Sequence, residues 1–424
     1  MADHLIGLLL GTEDDWPTAF EHIVARLPAI EHGGEKHSFR TERIVNEPFD
    51  LRYVPRYSLV IDRLSWWYDL PREWLKKISL MDDVYLLNNP FTFQAMEKHA
   101  AYCAMMRLGL KVPPTWLIPH KAPPHSLRFA SATDRFEEMA SRYNVAFDLG
   151  AIGEMVGYPL YMKPFDGGQW VGVTRIESPD ELRRGYDESG ERLMHLQQAV
   201  DFDVFVRSLS IGGETMVMHY DPDRPLHDRY QVSHGFLSPE VGAEIVTISR
   251  LVNAFFRWEF NSCETLVRDS DVFPIDYANA SPDVALTSLH YYFPWAMKAL
   301  VKWCVFCAVT RRRMRINQNT RAYFDIGDRQ DLTYEDKLAE YGRLADEYFQ
   351  VAAYQDFCAE HLAGLDEIVL DYVQSPEFDS LIVQTVRSTF PPHEYEQFVA
   401  HYRGLLGSWA AGERAAVAAA AGQA

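Results

Sequence analysis

The sequence has few cysteines and comparatively few basic residues. Its five cysteines are scattered among apolar residues of the 424-residue chain, at Cys103, Cys263, Cys304, Cys307 and Cys358. This odd number favours reduced thiols over a disulfide framework. The 41 lysines and arginines are outnumbered by 60 aspartates and glutamates, which gives a net charge of −19. Because a polyanion would be repelled by such a field, neither nucleic acid nor an anionic membrane surface is expected as a partner.

Long uninterrupted apolar runs are also missing. The short run LIGLLL near the N-terminus is followed closely by acidic residues, which is not the pattern of a secretory signal. The most apolar later stretch, residues 291–309, is interrupted by Lys298 and Lys302, whereas a membrane span needs roughly 20 nearly uninterrupted apolar residues. We therefore expect no membrane segment and a cytoplasmic protein. The CxxC formed by Cys304 and Cys307 has no second ligand pair, which favours core packing over metal or redox chemistry.

The remaining composition is that of a globular protein with several domains. Apolar residues make up 47% of the chain and charged residues 24%, and a chain of this length divides into about two to four packed lobes. The pattern of strand-like and helix-like runs predicts five segments: a small α/β domain over 1–83, an α+β lobe over 84–195, a strand-rich lobe over 196–295, a helical region over 296–412, and a low-complexity flexible tail over 413–424.

Two lysines occur in contexts that suit phosphate. Lys163 lies on a predicted strand directly before Gly167 and Gly168, where the absent side chains would let backbone N–H groups close over a polyphosphate. A charge in that apolar strand would be costly without a purpose. Lys98, at the start of the preceding predicted helix, could bring a second ammonium to the same phosphates, although a lysine at a helix start is more often simply solvated.

Three oxygen-bearing residues form a second group. Glu264 lies in one predicted strand, and Asp276 and Asn279 lie in the next, so adjacent strands could direct their oxygens toward one point. Hard oxygen ligands of this kind suit Mg²⁺, which keeps several waters and is shared with substrate phosphates. The alternative is that all three are strand-end and turn residues facing solvent.

The order and spacing of these residues over roughly residues 84–290 resemble the ATP-grasp superfamily. The resemblance implies an ATP-grasp fold of two α+β lobes that hold ATP between them, preceded by a small α/β pre-ATP-grasp domain and followed here by a helical C-terminal extension. It also implies the family's usual activity, which joins a carboxylate to an amine through an acyl phosphate and releases ADP and phosphate.

The resemblance also implies roles for individual residues. ATP phosphates would meet Lys98 and Lys163 under the flap of Gly167 and Gly168, adenine would meet Gln197, Gln198 and the backbone near Val200, the ribose would meet Asp203, and magnesium would be bound by Glu264, Asp276 and Asn279. The segment around Gln198 and Ala199 departs from the family, which often has a glutamate and an aromatic residue there. Implied cofactors are ATP and Mg²⁺, for which Mn²⁺ can substitute.

The metal motif departs from the family as well. The common form places its acid and asparagine two residues apart, whereas Asp276 and Asn279 are three apart and would face opposite sides of a regular strand. A β-bulge at Tyr277 and Ala278 would restore a shared direction and is the expected solution. Otherwise Asp283 would supply the missing oxygen.

Arginine would complete a clamp around the transferring phosphate, and Arg207 and Arg229 are the strand-borne candidates for this catalytic role. His290 would bind substrate or take the amine's proton, but a packed histidine is favoured. Nothing in the sequence names the small-molecule carboxylate and amine, and a homodimer is the expected oligomer. Two other functions stay open, namely an ATP-grasp phosphotransferase and a nucleotide-binding regulatory module without turnover.

Overall fold

A computed structural model describes residues 1–92, 97–122, 147–168 and 170–421. Its first sheet is built around the apolar run near the N-terminus, which forms a central strand buried on both faces, as parallel strands usually are. The strand order is β2-β3-β1-β4-β5, and the elements are β1 (Ala2–Leu9), α1 (Asp15–Val24), β2 (Ile30–His32), β3 (Glu35–Arg43), β4 (Leu59–Asp62), α2 (Asp69–Met81) and β5 (Tyr85–Leu86). The edge strand β2 runs antiparallel to β3, and the other pairs are parallel.

A second, antiparallel sheet of four strands has the order β6-β9-β7-β8. It has its own small apolar cluster, which includes Met162, Leu182 and Leu196. The elements of this lobe are α3 (His99–Arg107), β6 (Thr115–Ile118), α4 (Leu149–Val156), β7 (Leu160–Pro164), β8 (Thr174–Ile176), α5 (Pro179–Ser189) and β9 (Met194–Gln198).

A third sheet of five antiparallel strands follows, in the order β12-β11-β10-β13-β14. Its strands are β10 (Val204–Ile211), β11 (Glu214–Tyr220), β12 (Tyr230–Gln231), β13 (Phe260–Arg268) and β14 (Asp271–Ala280), with a 3₁₀ turn at Leu226–Asp228. The helix α6 (Pro239–Phe256) packs across this sheet. It begins where the Ser238 side chain accepts a hydrogen bond from the backbone N–H of Val241, and it ends at Arg257 in the left-handed conformation.

The rest of the chain is helical. The elements are α7 (Leu286–Leu289), α8 (Phe293–Val309), α9 (Thr320–Gly327), α10 (Tyr334–Phe349), α11 (Val351–His361), α12 (Leu365–Val373), α13 (Pro376–Thr389) and α14 (Tyr395–Ala421), with 3₁₀ turns at His290–Tyr292 and Pro392–Glu394. Thr333 and Asp336 form a reciprocal cap at the start of α10.

The helix α8 lies at the centre of the molecule. Over the described residues, the segment 286–309 is long and apolar enough to cross a membrane, but 83% of its most apolar window is buried inside the protein. Cys304 and Cys307 are among its buried residues, and burial raises the pKa of both thiols well above the ordinary value. These features are those of a core helix, and core packing is the role predicted for both cysteines.

Three segment boundaries differ from the prediction. The strand β5 pairs with β4, so the first sheet extends past residue 83, and β9 belongs wholly to the four-stranded sheet, so that lobe extends past residue 195. Residues 413–421, predicted as flexible tail, continue the helix α14. Glu413 pairs with Lys298 at 2.8 Å, and the run of alanines around it has high helix propensity.

The described architecture is a mixed α/β fold in which two α+β lobes follow a small α/β domain and precede a helical region. The predicted fold class is therefore confirmed.

Candidate active site

One cavity of about 790 Å³ lies between the four-stranded and the five-stranded sheets, within the range of ligand clefts. Every residue predicted for the site except Asp203 lines it. These residues are Lys98, Lys163, Gly167, Gly168, Gln197, Gln198, Val200, Arg207, Arg229, Glu264, Asp276 and Asn279. The fold thus brings into one pocket residues that are more than a hundred positions apart in sequence.

Lys163 is buried on β7 and points into the pocket. Its Nζ donates hydrogen bonds to the side-chain oxygen of Gln197 at 2.7 Å and to the backbone oxygen of Ile275 at 3.2 Å, and it lies 5.3 Å from the ring centre of Tyr102. Burial lowers the pKa of this ammonium to about 8. Since its partners are neutral, the charge is available to an anion.

Lys98 precedes α3 and is also buried. Its backbone N–H donates to the backbone oxygen of Phe165 at 2.8 Å, and its Nζ donates to the backbone oxygen of Gly167. The Nζ also lies 3.5 Å from the Asp276 carboxylate. Lys98 therefore connects the glycine-rich segment to Asp276 on β14.

The glycine-rich segment is the tip of the antiparallel hairpin formed by β7 and β8. Gly167 has a φ of 82°, which glycine adopts without the steric cost that a side chain would add. Gly168 lines the pocket beside it. The two glycines that follow the predicted strand thus lie at the pocket.

The acidic residues stand on one rung of the five-stranded sheet. Glu264 on β13 is paired with Asp276 on β14. Ser262, two residues before Glu264, is paired with Asn279, three residues after Asp276, so one extra residue is accommodated on β14. The predicted bulge at Tyr277 and Ala278 is therefore confirmed, and the Asn279 side-chain nitrogen lies 3.5 Å from the Asp276 carboxylate.

This donor set fits Mg²⁺. Burial raises the pKa of Glu264, while the guanidinium of Arg207, 3.4 Å away, opposes that rise. Two carboxylates and one amide oxygen are hard ligands, and they leave most of the coordination shell to phosphates and water. Among the residues that the structure describes, no three His, Cys, Asp or Glu side chains group as a metal site.

Asp283, the alternative ligand, has its oxygens engaged elsewhere. One accepts from the backbone N–H of Ala285 at 2.9 Å and the other from the hydroxyl of Ser288 at 2.5 Å. Asp283 thus stabilises the start of α7, although it also lines the pocket. Asp276 is therefore the acid that stands next to Asn279.

The segment between β9 and β10, residues 199–203, differs in detail from the prediction. Gln197 is buried and holds Lys163 and Thr115, so its side chain is not free for a base. Asp203 does not line the pocket, because its carboxylate accepts from the backbone N–H of Asp269 at 2.7 Å and closes the turn between β13 and β14. Asp201, two residues earlier, lines the pocket instead.

Of the two arginines predicted on strands, Arg207 lies on β10, whereas Arg229 lies between the 3₁₀ turn and β12. Arg207 pairs with Glu264 and donates to the hydroxyl of Ser262 at 3.3 Å. Arg229 donates to the backbone oxygen of Arg224 at 3.0 Å and to the hydroxyl of Tyr220 at 3.5 Å. Across the described parts of the chain, no carboxylate lies within ion-pairing distance of Arg229, so its charge faces the pocket without an acidic partner.

A loop of the first domain supplies pocket residues that the motifs did not identify. Arg63 pairs with Glu13 at 2.9 Å and donates to the backbone oxygens of Ser281 and Pro282, and Trp66 lines the pocket three residues later. In the structure Glu13 orients Arg63, and Arg63 connects the domains.

Two other buried polar residues, Asp62 and His290, have structural roles. The buried Asp62 accepts hydrogen bonds from the backbone N–H groups of Leu64 and Ser65, which shapes the loop that carries Trp66. His290 is buried outside the pocket and its ring accepts from the backbone N–H of Tyr291 at 2.7 Å. Burial lowers the pKa of His290 to about 4, as expected of a packed, neutral histidine.

Comparison with known proteins gives similarity in fold alone. No protein-family model matches the chain, and no curated protein matches it. Three similar solved structures are a RimK domain ATP-grasp protein from Sphaerobacter thermophilus (13% identity, 66% of this chain and 92% of that chain, TM-score 0.43), the ATP complex of D-alanine–D-alanine ligase from Bacillus anthracis (14%, 73% and 98%, TM-score 0.47), and D-alanyl-alanine synthetase A from Vibrio cholerae (12%, 73% and 100%, TM-score 0.49). The first is an ATP-grasp protein by name, and the other two are a ligase and a synthetase.

Proposed function

We propose that this protein is an ATP- and Mg²⁺-dependent ligase that joins a carboxylate to an amine and releases ADP and phosphate. The observation that supports it most is the convergence in one pocket of two buried lysines, a glycine-rich hairpin tip, an acid pair with an asparagine, and an arginine that has no acidic partner among the described residues. Each group would serve one part of the reaction.

The chemistry explains why these groups are needed together. A carboxylate resists attack by an amine, because its resonance and charge make its carbon a poor electrophile. In the proposed reaction a carboxylate oxygen attacks the γ-phosphorus and ADP leaves, and the amine nitrogen then attacks the acyl carbon and phosphate leaves. Lys98 and Lys163 would neutralise charge on the transferring oxygens, and Gly167 and Gly168 would cover them. Magnesium bound by Glu264, Asp276 and Asn279 would supply further neutralisation.

The arginines would hold the acid that is activated. Arg207 is next to Glu264 and therefore next to the proposed metal position, and Arg229 is held by neutral partners with its charge directed to the pocket. A guanidinium in this state binds a carboxylate through paired hydrogen bonds. The proposed partners are therefore a small-molecule carboxylate and a small-molecule amine. The proposed location is the cytoplasm, whose reducing conditions suit free cysteines.

Hydroxylamine trapping tests the proposal. The purified protein is incubated with Mg·ATP, hydroxylamine and pools of carboxylates, and ADP, free phosphate and hydroxamate are measured together. We expect hydroxamate and phosphate in equal amounts with one pool, because hydroxylamine would replace the amine in attacking the acyl phosphate. ADP without phosphate or hydroxamate would instead indicate a phosphotransferase, and no ADP with any pool would favour a regulatory module without turnover.

The ribose role is tested by two neighbouring aspartates. Because Asp201 lines the pocket and Asp203 does not, Asp201→Ala is expected to raise the KM for ATP by about tenfold, the effect of losing a hydrogen bond to a charged group. Asp203→Ala should leave that KM within about twofold and lower the melting temperature slightly. The opposite pattern in ATP-saturation kinetics would return the ribose role to Asp203.

A further inference from the structure

The strand β14 defines the long axis of the pocket. Phe273, near its start, borders a small second cavity behind residues 198–201. Asp276 lies in its middle and Asn279 next to its last residue. The backbone oxygens of Ser281 and Pro282, which follow the strand, accept hydrogen bonds from the guanidinium of Arg63. The pocket therefore runs from the proposed adenine end, past the proposed phosphates, to a far end at Arg63.

An aromatic surface begins inside this far end and continues outward. Trp66 lines the pocket and is half-buried. The ring of Trp67 stacks on it, with centroids 5.4 Å apart and planes 20° apart, and Tyr68 packs edge-on against Trp67 with centroids 5.1 Å apart. Trp67 and Tyr68 are each 54% exposed. Contiguous exposed apolar surface of this kind marks interaction sites.

The loop that carries Trp66 is held in place from both sides. The Asp62 carboxylate accepts from the backbone N–H groups of Leu64 and Ser65, and the Ser281 hydroxyl donates to the backbone oxygen of Asp62 at 3.1 Å. Together with the Arg63 contacts, these hydrogen bonds hold the loop against the residues that follow β14. Trp66 is thus a preorganised wall of the pocket.

The lining of the pocket also combines charge with a second apolar group. Leu226 lines the pocket and is 60% exposed, and Arg229 stands three residues later with no carboxylate at ion-pairing distance in the described residues. Arg207 lies close enough to Asp283 to interact with it electrostatically, and Asp283 follows Pro282, the residue that Arg63 contacts. The far end therefore presents cations for an acid group beside apolar walls for its body.

We infer that the acid activated here is an aromatic carboxylate, whose ring lies against Trp66 and whose carboxylate is held at Arg207 and Arg229. This inference deepens the proposed function and rests on it for the identity of the reaction. Aromatic pairs prefer offset-stacked or edge-to-face geometry, and Trp66 already has one face supported by Trp67. A small acid such as propionate would leave these walls uncovered.

Direct binding tests the inference without requiring turnover. Titration calorimetry with Mg²⁺ and a non-hydrolysable ATP analogue compares 3-phenylpropionate, 3-cyclohexylpropionate and propionate, which share the same acid group and linker. We expect 3-phenylpropionate to bind at least about tenfold more tightly than propionate. Equal affinities for these two would overturn the inference, and an equal affinity of the cyclohexyl acid would overturn its aromatic part.

Variants identify the wall responsible. Trp66→Ala is expected to remove the preference for 3-phenylpropionate and leave the Kd of propionate within about twofold, and Trp66→Phe should retain most of it. Trp116→Ala is the matched control, because Trp116 is a 40% exposed tryptophan on β6 that does not line the pocket. If Trp66→Ala weakened binding of the ATP analogue and not of the acid, Trp66 would serve the nucleotide and the inference would be overturned.

Hydroxamate formation from the same acids separates the two proposals. A Trp66-dependent binding preference without hydroxamate from any acid would support the inference about the ligand and overturn the ligase reaction. Equal kcat/KM for hydroxamate from propionate and 3-phenylpropionate would support the ligase reaction and overturn the inference. Hydroxamate formed preferentially from the aromatic acid would support both.

Discussion

Replacing Lys163 by alanine is expected to lower ATP-dependent turnover by about 10²–10³-fold, the cost of removing one preorganised donor from developing charge. Lys163 is buried and has neutral partners, Gln197 and the backbone oxygen of Ile275, so its charge is not already committed to an acid. Lys98 does not compensate, because its Nζ is held by Gly167 and lies 3.5 Å from Asp276. ADP release at saturating ATP measures the effect.

The control for this variant is Lys76→Ala, which removes a lysine paired with Glu73 on α2, outside the pocket. It should keep full turnover. The melting temperature of Lys163→Ala is measured in parallel, so that a loss of folding is not mistaken for a loss of chemistry. Turnover of Lys163→Ala within a few fold of the unchanged protein would contradict the assignment of the phosphate site.

The pH dependence identifies the charge as the active feature of Lys163. Burial lowers its pKa to about 8, so the ammonium form predominates below that pH and is lost above it. Because ATP binds the charged form, its affinity in the unchanged protein should fall as the pH rises through 8, by up to tenfold per unit. Lys163→Arg stays charged in this range, so its affinity should not show this fall.

The parts of the site that the sequence predicts are those in which chemistry leaves a local trace. A lysine in an apolar strand before two glycines is costly unless a ligand offsets it, and the structure buries Lys163 beside that glycine tip. The three-residue spacing of Asp276 and Asn279 required a bulge if both were to face one side, and the register of β13 and β14 contains it. In both cases the residues conflict with a regular apolar strand, and this conflict indicates a site.

The parts that the sequence does not predict depend on contacts between distant segments. Arg63 meets the backbone of Ser281 and Pro282 more than two hundred residues away, and nothing in either segment indicates the other. Glu413 holds the last turns of α14 through Lys298, which a reading of the alanine-rich tail as frayed could not anticipate. Asp201 and Asp203 are two residues apart in the same segment, and the sequence does not indicate which of them lines the pocket. The hydrogen bond from the backbone N–H of Asp269 holds the Asp203 carboxylate away from it.

Another contact between distant segments is made by Glu259, a buried carboxylate that joins three parts of the molecule. It accepts hydrogen bonds from the hydroxyl of Tyr85 at 2.6 Å, from the indole of Trp303 at 2.8 Å and from the hydroxyl of Tyr348 at 2.8 Å. Arg312 lies 3.6 Å away and also donates to the Tyr85 hydroxyl at 2.7 Å. The first sheet, the five-stranded sheet and the helical region are thus connected at one acid.

Replacing Glu259 by alanine is expected to destabilise the fold by about 3–5 kcal/mol, because it leaves the buried Arg312 charge without its partner. Glu259→Gln should cost less, since an acceptor oxygen remains for the tyrosines and the indole. Glu367→Ala, which removes an exposed glutamate on α12, should change stability by no more than about 0.5 kcal/mol. Urea unfolding followed by circular dichroism and by tryptophan fluorescence measures all three variants.

The double variant Glu259→Ala with Arg312→Ala separates two contributions to the loss of stability. One is the lost interaction between the two side chains, and the other is the cost of leaving the Arg312 charge buried without its partner. If the cost of Glu259→Ala arises mainly from uncompensated Arg312, the double variant should be less destabilised than the sum of the two single changes, by about 0.5–3 kcal/mol. Because the network joins three parts of the chain, both probes should also report one shared transition for the unchanged protein. Strict additivity, or a first sheet that unfolds separately, would mean that Glu259 is a local contact rather than the connection between them.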